Sequence, residues 1–361
     1  MNREGVLWIL GPKEYINSGI AKYSLPFIDK LKDEGFYVKE KWINYKARSI
    51  KRYIYQFVVL PVYLFFLSKK YGAVVIYEES LSFLCPFIRA RKILIIHDAR
   101  KISGNNKVAI VEVFKAAFNK LQHYYYNRYD HVVSVSEHTK VELEKQGLVE
   151  PNTVNVIYNS FDMPKIFSIE KKLDKRLFEK IVDSGQYSNK IKLLYVGSEE
   201  SRKNFVTLLY VLEQLGEKYV LIKVGKPIIE KNRVKHAKII EQKHLPVVFL
   251  ESISESDLID LYYYSDIFLF PSTYEGFGRP PIEAQSCGLP VVSTDCGALK
   301  EVLRESAVIV KSPFSIDEWT SSIYKLQNDK LRNSFINKGI ENADRFTLDC
   351  QITLWIRLLK L

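Results

Sequence analysis

Short apolar runs alternate with longer amphipathic stretches along most of the chain. The runs at 6–10, 73–77, 93–96 and 132–135 read as strands in the first half. Those at 192–196, 220–224, 247–250, 267–270, 290–293 and 308–310 read as strands in the second. Several are apolar without interruption, the pattern of a strand covered on both faces. Helical periods lie between them, for example over 204–215 and over 255–264, where Ser254 and Asp257 are spaced as a capping box. Strand–helix alternation of this kind predicts an α/β fold with parallel sheets and helices on both faces. The alternation lapses over 160–189, a Lys/Glu/Asp-rich stretch that reads as the linker region between two doubly wound domains, and 331–361 reads as helical.

A length of 361 residues suits two domains of ordinary size, and 47% hydrophobic against 26% charged residues marks a folded chain. The net charge of +11 is uneven. Residues 1–150 hold 24 Lys/Arg against 15 Asp/Glu, whereas residues 251–300 hold 2 against 8. A basic N-terminal half points to an anionic partner, whether phosphate ligand, nucleic acid or anionic membrane. The four cysteines, Cys85, Cys287, Cys296 and Cys350, form no C-x-x-C pair and read as reduced packing thiols. The apolar run 6–10 is too short for a signal-peptide core, so a cytoplasmic location is expected. The longest apolar stretch, 53–67, contains Gln56 and Pro61 between Lys51-Arg52 and Lys69-Lys70. It falls short of the ~20 apolar residues of a spanning helix and reads as a buried core helix or an interfacial one.

The segment most informative about chemistry is SDIFLFPSTYEGFGRPPIEAQSCGLPVVSTDCGALKEV, residues 265–302. A buried strand ends at Pro271, a loop with Gly276 and Gly278 follows, and Pro280 and Pro281 open a helix that stops near Gly288. A glycine-bearing loop feeding a helix at the end of a parallel strand is suited to an anion. Glu275 in the loop and Glu283 in the expected first helical turn are eight positions apart. Each alone could be an ordinary loop or helix-start charge. Together in this context they read as hydrogen-bond acceptors for hydroxyls of a sugar and a ribose.

This block resembles the E-x7-E signature of group 1 glycosyltransferases, the family 4 class of GT-B fold. The resemblance extends over the strand ending in FPS, YEGFGRPPIEA, CGLPVVS and the D-x-G-A-x-x-E-V tail. It implies that Glu275 contacts the donor sugar, Glu283 the ribose, and the amides of Gly276, Phe277 and Gly278 the diphosphate. Arg279 departs from the family, where an apolar residue is usual. A second block, YVGSEESRKNF, resembles the family segment in which a strand ends in glycine before a basic residue, here Gly197 followed by Arg202 and Lys203. Two cations at the carboxyl end of a parallel strand suit two phosphates, although an RK pair can also be plain solvated charge. Ser198 stands where family members often carry Arg. A third block, ILIIHDAR, puts His97 and Asp98 at a strand end, where the family has a histidine close to the transferred sugar. Without that resemblance a hydrogen-bonded structural histidine is an equal reading. GPKEYINSGIAKYS resembles the family's N-terminal glycine loop and nominates Gly19. VSVSEHTK, with Ser136 at a strand end, and VIYNSFD are further family landmarks.

The expectation is therefore GT-B architecture: two Rossmann-like doubly wound domains facing an inter-domain cleft. Residues 1–170 would bind the acceptor and 186–340 the nucleotide sugar, with a helix in 341–361 crossing back to the N-terminal domain. The implied activity is retaining transfer of a hexose-type sugar from a nucleotide-diphospho-sugar to a glycan or lipid-linked saccharide, in bacterial surface polysaccharide synthesis such as lipopolysaccharide O-antigen or capsule. No cofactor or metal is expected, since no Asp-x-Asp motif is present to hold a cation on the diphosphate. Weak association with an anionic membrane is expected, peripheral at the inner face of the cytoplasmic membrane, and no nucleic acid. The rival readings are a GT-B nucleotide-sugar epimerase and a non-enzymatic polyanion-binding protein.

Overall fold

The computed structural model describes residues 5–12, 19–45, 49–99, 110–161, 187–227 and 229–360. The chain divides into two compact units, one of Met1–Phe161 with Phe346–Leu361, the other of Asp162–Arg345. The linker expected over 160–189 falls almost wholly outside the described residues.

Each unit is built on a six-stranded parallel sheet. In the first the spatial order is β2-β1-β3-β4-β5-β6, in the second β12-β11-β10-β7-β8-β9. The central strands β1 (Val6–Leu10), β3 (Ala73–Ile76), β8 (Tyr219–Val224) and β10 (Ile267–Phe270) are buried at every position, as their near-continuous apolar sequences require. Two strands escape the hydropathy pattern. β2 (Val38–Trp42, VKEKW) and β6 (Val154–Val156) are sheet edges, half covered, and need no apolar run. The remaining strands are β4 (Arg91–Ile96), β5 (His131–Ser134), β7 (Ile191–Val196), β9 (Val247–Leu250), β11 (Val291–Thr294) and β12 (Val308–Val310).

Each order reverses direction at one place, between β1 and β3 and between β7 and β10. At such a reversal the connections leave the sheet on opposite faces and open a crevice at the carboxyl ends of the strands, which is where doubly wound sheets bind ligands. In the second unit the loops after β7 and β10 therefore hold the privileged position.

The helix Leu348–Lys360 belongs to the first unit, while Asp329–Asp344 stays with the second, so the chain changes unit at Phe346 rather than at 341. Trp355 is fully buried, its ring 4.9 Å from Trp8 of β1 and 5.9 Å from Phe27. The Arg91 guanidinium donates to the carbonyls of Leu358 and Leu359, both at 3.1 Å, and so caps the end of that helix.

The helical run Ile50–Lys70 is longer than the 53–67 stretch suggests. It is 21 residues, formed by Ile50–Ile54, a π turn over Tyr55–Val59, Leu60–Leu67 and a 3₁₀ turn over Ser68–Lys70. By length and composition alone it could cross a bilayer. Gln56, Leu60, Pro61, Leu64 and Ser68 are buried, so one face is packed along most of the run.

Trp355→Ala should destabilise the first unit by about 3–5 kcal/mol, the cost of a large aromatic lost from a core. Urea unfolding followed by tryptophan fluorescence measures this. A loss below about 1 kcal/mol would mean that the final helix is not integral to that unit.

Candidate functional site

The site of the second unit starts from two loops at the carboxyl ends of adjacent strands. After β7, Gly197 pairs its amide with the Val224 carbonyl at 2.9 Å. A Cβ on Gly197 would lie 2.8 Å from the Tyr195 hydroxyl, so any larger residue would have to displace that buried ring. A short 3₁₀ turn, Ser201–Lys203, follows, and Asn204 in left-handed conformation (φ 51°) starts the helix Phe205–Leu215. Arg202 and Lys203 are thus fixed on a tight turn rather than carried on a loose basic stretch.

After β10, the loop 271–278 docks onto that turn. The Thr273 amide and hydroxyl both donate to the Arg202 carbonyl, at 2.8 and 3.1 Å. Lys203 Nζ donates to Glu275 Oε1 at 2.7 Å, and Arg202 reaches both carboxylate oxygens of Glu275 at 3.4 Å. Arg202 also donates to Glu200 at 3.1 Å. Glu275 is buried. Burial alone would push its carboxyl up, but the charges of Lys203 and Arg202 outweigh it and hold Glu275 below the usual carboxylate range. The loop thereby presents an ionised, partly desolvated carboxylate clasped by two cations.

Gly297, from the turn after β11, completes the clasp. Its φ is 65°, and a Cβ there would sit 2.4 Å from the Glu275 carbonyl oxygen, which accepts from the Ala298 amide at 2.9 Å. Gly278, at φ 94°, precedes the helix Arg279–Ser286, and Phe277 is buried. The helix begins at Arg279, one residue ahead of the prolines, so Glu283 lies past the first turn. Pro280 and Pro281 have no N–H, so this helix start offers fewer amide donors than an ordinary one. Glu283 is buried, accepting from the Tyr262 hydroxyl at 3.0 Å and pairing with Arg279 at 3.3 Å. Arg279, the departure from the family pattern, thus neutralises this second carboxylate.

Sequence reasoning missed a charged network behind the β7 loop. Glu199 is buried, with Oε1 at 3.1 Å from Lys223 and 2.7 Å from Arg233, and Oε2 at 2.8 Å from His236 Nδ1. Lys223 also donates to the Gly225 carbonyl, and Arg233 continues to Glu251 at 2.8 Å. Burial lowers the Lys223 ammonium, and it opposes the ionisation of Glu199, but hydrogen bonds from His236 and Lys223 hold Glu199 low. One signal was available: Lys223 interrupts the otherwise apolar strand YVLIKV, and a fully buried lysine requires a partner.

The other nominated residues lie in the first unit. His97 follows β4, half-buried. Its Nε2 is 2.9 Å from the Tyr77 carbonyl, which only accepts, so Nε2 carries the proton and Nδ1 the lone pair. Burial lowers its pKa to about 4, which keeps the ring neutral at pH 7. The His97 amide donates to Glu79 at 3.2 Å, and burial pushes that carboxyl up to about 7. Gly19 is the first residue of the helix Gly19–Asp33, while 13–18 of the glycine-loop segment lie outside the described residues. Ser136 caps the helix Glu137–Lys145 by accepting from the Thr139 amide at 3.0 Å, a structural duty.

Residues 178–342 match the family described as Glycosyl transferases group 1. The match lies within the second unit. Among curated relatives, O-antigen chain mannosyltransferase B of Escherichia coli is 32% identical over 46% of this chain and 45% of its own length. O-antigen chain mannosyltransferase RfbU of Salmonella typhimurium is 27% identical over 75% of this chain and 70% of its own. The chain thus spans less than half of the first and more than two thirds of the second. Anabaena HepE, solved with UDP, superposes with a TM-score of 0.76 at 17% identity, covering 99% of this chain and 100% of that one. The fold is GT-B, with two Rossmann-like domains.

Gly297→Ala should cost about 1–3 kcal/mol, because it combines a strained φ with a clash on the Glu275 backbone. Gly216→Ala, at φ 79° with nothing within 4 Å of the added Cβ, should cost less. Thermal midpoints of the two variants decide this, and equal shifts would mean that the Gly297 contact does not constrain the loop.

Proposed function

We propose that the protein is a retaining glycosyltransferase that moves a hexose from a nucleoside-diphosphate sugar to a saccharide or lipid-linked saccharide, in assembly of a bacterial surface polysaccharide such as O-antigen or capsule. The observation that carries this reading is the buried Glu275 clasped by Lys203 and Arg202 at the reversal of the sheet. The two cations can turn towards an incoming diphosphate, and Glu275 is then released to accept from sugar hydroxyls. Glu283 accepts from the ribose, exchanging its bond to Tyr262 or Arg279 for a ligand hydroxyl. Gly197 and the amides of Gly276, Phe277 and Gly278 allow the phosphates close to the backbone.

As the glycosidic bond breaks, negative charge grows on the departing nucleoside diphosphate. Arg202 and Lys203, turned from Glu275 to the diphosphate, stabilise it electrostatically. In this reading no metal is needed on the diphosphate. His97, neutral with its Nε2 proton committed to Tyr77, keeps its Nδ1 lone pair as an acceptor for the part towards the sugar that the family resemblance gives it. Gly19 keeps the part that the family resemblance gives it, a close backbone approach beside the ligand. The two relatives named O-antigen chain mannosyltransferases make a mannosyl donor the first to try, and the UDP bound by HepE makes uridine donors the second.

The test measures thermal shift and nucleoside diphosphate release with GDP-mannose, UDP-glucose and ADP-glucose, in the presence and absence of chelator. One donor should stabilise the protein and turn over, with a rate unaffected by chelator. Glu283→Ala should weaken donor binding by about five- to 150-fold, the loss of a hydrogen bond of 1–3 kcal/mol. Glu275→Gln should lower kcat more than it weakens binding of the free diphosphate. Wild-type behaviour of both variants would refute the site. Loss of activity on chelation, restored by magnesium, would refute the cation clamp.

A further inference from the structure

The helical run Ile50–Lys70 turns an apolar face to solvent. Gln56, Leu60, Leu64 and Ser68, spaced four apart, are the buried stripe. The Arg89 amide donates to Ser68 at 2.8 Å, and Phe57 stacks on Phe83 at 4.9 Å, which fastens the run to the segment Glu79–Phe87. On the other side Ile54, Val58, Val62 and Phe66, again four apart, are 54%, 58%, 54% and 60% exposed. A surface helix ordinarily shows water its polar face. This one shows water an apolar face as well as burying one, and at 1.5 Å per residue the exposed ridge from Ile54 to Phe66 is roughly 18 Å long.

Charge identifies what covers it. The 21 residues contain no Asp or Glu, and a basic pair closes each end, Lys51-Arg52 and Lys69-Lys70. Arg89 adds a guanidinium stacked 3.5 Å above Phe65. A second copy docked on this ridge would bring basic pairs against basic pairs in either direction of pairing, which is repulsive. An anionic surface satisfies both ends at once. The packed stripe holds the run against its own unit from Gln56 to Ser68, which favours a helix that lies along a surface over one that crosses it.

We propose that Ile50–Lys70 is an interfacial helix that seats the first unit on an anionic lipid bilayer, with Ile54, Val58, Val62 and Phe66 among the acyl chains and both basic pairs at the headgroups. The inference is independent of the transfer reaction, because it uses no residue of the donor site.

Co-sedimentation tests it with vesicles of phosphatidylcholine alone and with phosphatidylglycerol in equal part. The full chain should pellet with the anionic vesicles at low salt, remain in the supernatant with the neutral ones, and be released as salt is raised. Val58→Glu with Val62→Glu, and separately Lys69→Glu with Lys70→Glu, should each weaken binding about tenfold or more. Both substitutions are at exposed positions and should leave the thermal midpoint unchanged, which separates lost docking from lost folding. Equal recovery in the supernatant with and without phosphatidylglycerol at low salt overturns the proposal, as does wild-type binding by the Val58/Val62 variant. A dimer on size exclusion that this variant abolishes would assign the face to a second copy instead.

Discussion

A carboxylate nearly out of water and two cations on a neighbouring loop govern the second unit. Glu275 could not stay ionised where it is without Lys203 at 2.7 Å and Arg202 beside it. Desolvation of a lone carboxylate would raise its pKa until it took a proton. The pairing sets requirements on the surrounding chain. Gly197 and left-handed Asn204 shape the turn that presents the cations, and Thr273 locks that turn to the loop carrying Glu275. Gly297 lets the next turn approach the Glu275 backbone. The groups that would receive the donor are thus held in position in advance of a ligand, so less ordering cost falls on binding.

Behind this lies a second layer of charge. The Glu199 network joins the ends of β7, β8 and β9 through Lys223, Arg233 and Glu251. Removing Lys223 or Glu199, the fully buried pair of the set, leaves an uncompensated charge and costs about 3–5 kcal/mol. Its place just after Gly197 suits it to stiffen the base of the loop that carries Arg202 and Lys203.

Much of this architecture is legible in the amino-acid sequence. The interior strands announce themselves because parallel strands covered on both faces must be apolar throughout. The block around Glu275 and Glu283 is legible because a strand, a glycine loop and a helix start need particular residues in order. The edge strands β2 and β6 are not, since an edge tolerates the charges of VKEKW. The helix start falls at Arg279 and not at Pro280, because prolines fit the second and third helical positions as well as the first. Glu199, Arg233 and His236 look like surface charge in sequence, and only the fold brings them together on Lys223. The apolar run at 53–67 cannot say which of its faces is covered, because a run apolar all round carries no directional signal.

The central claim is that Lys203 and Arg202 form the phosphate-binding half of the site. It is tested most directly by calorimetric titration of Lys203→Met with a nucleoside diphosphate and with the corresponding nucleoside. Loss of one charge-assisted hydrogen bond should weaken diphosphate binding by about 1.5–3 kcal/mol, ten- to a hundredfold, and leave the nucleoside unaffected. Equal affinity of variant and wild type for the diphosphate would contradict the account, and so would parallel loss for both ligands.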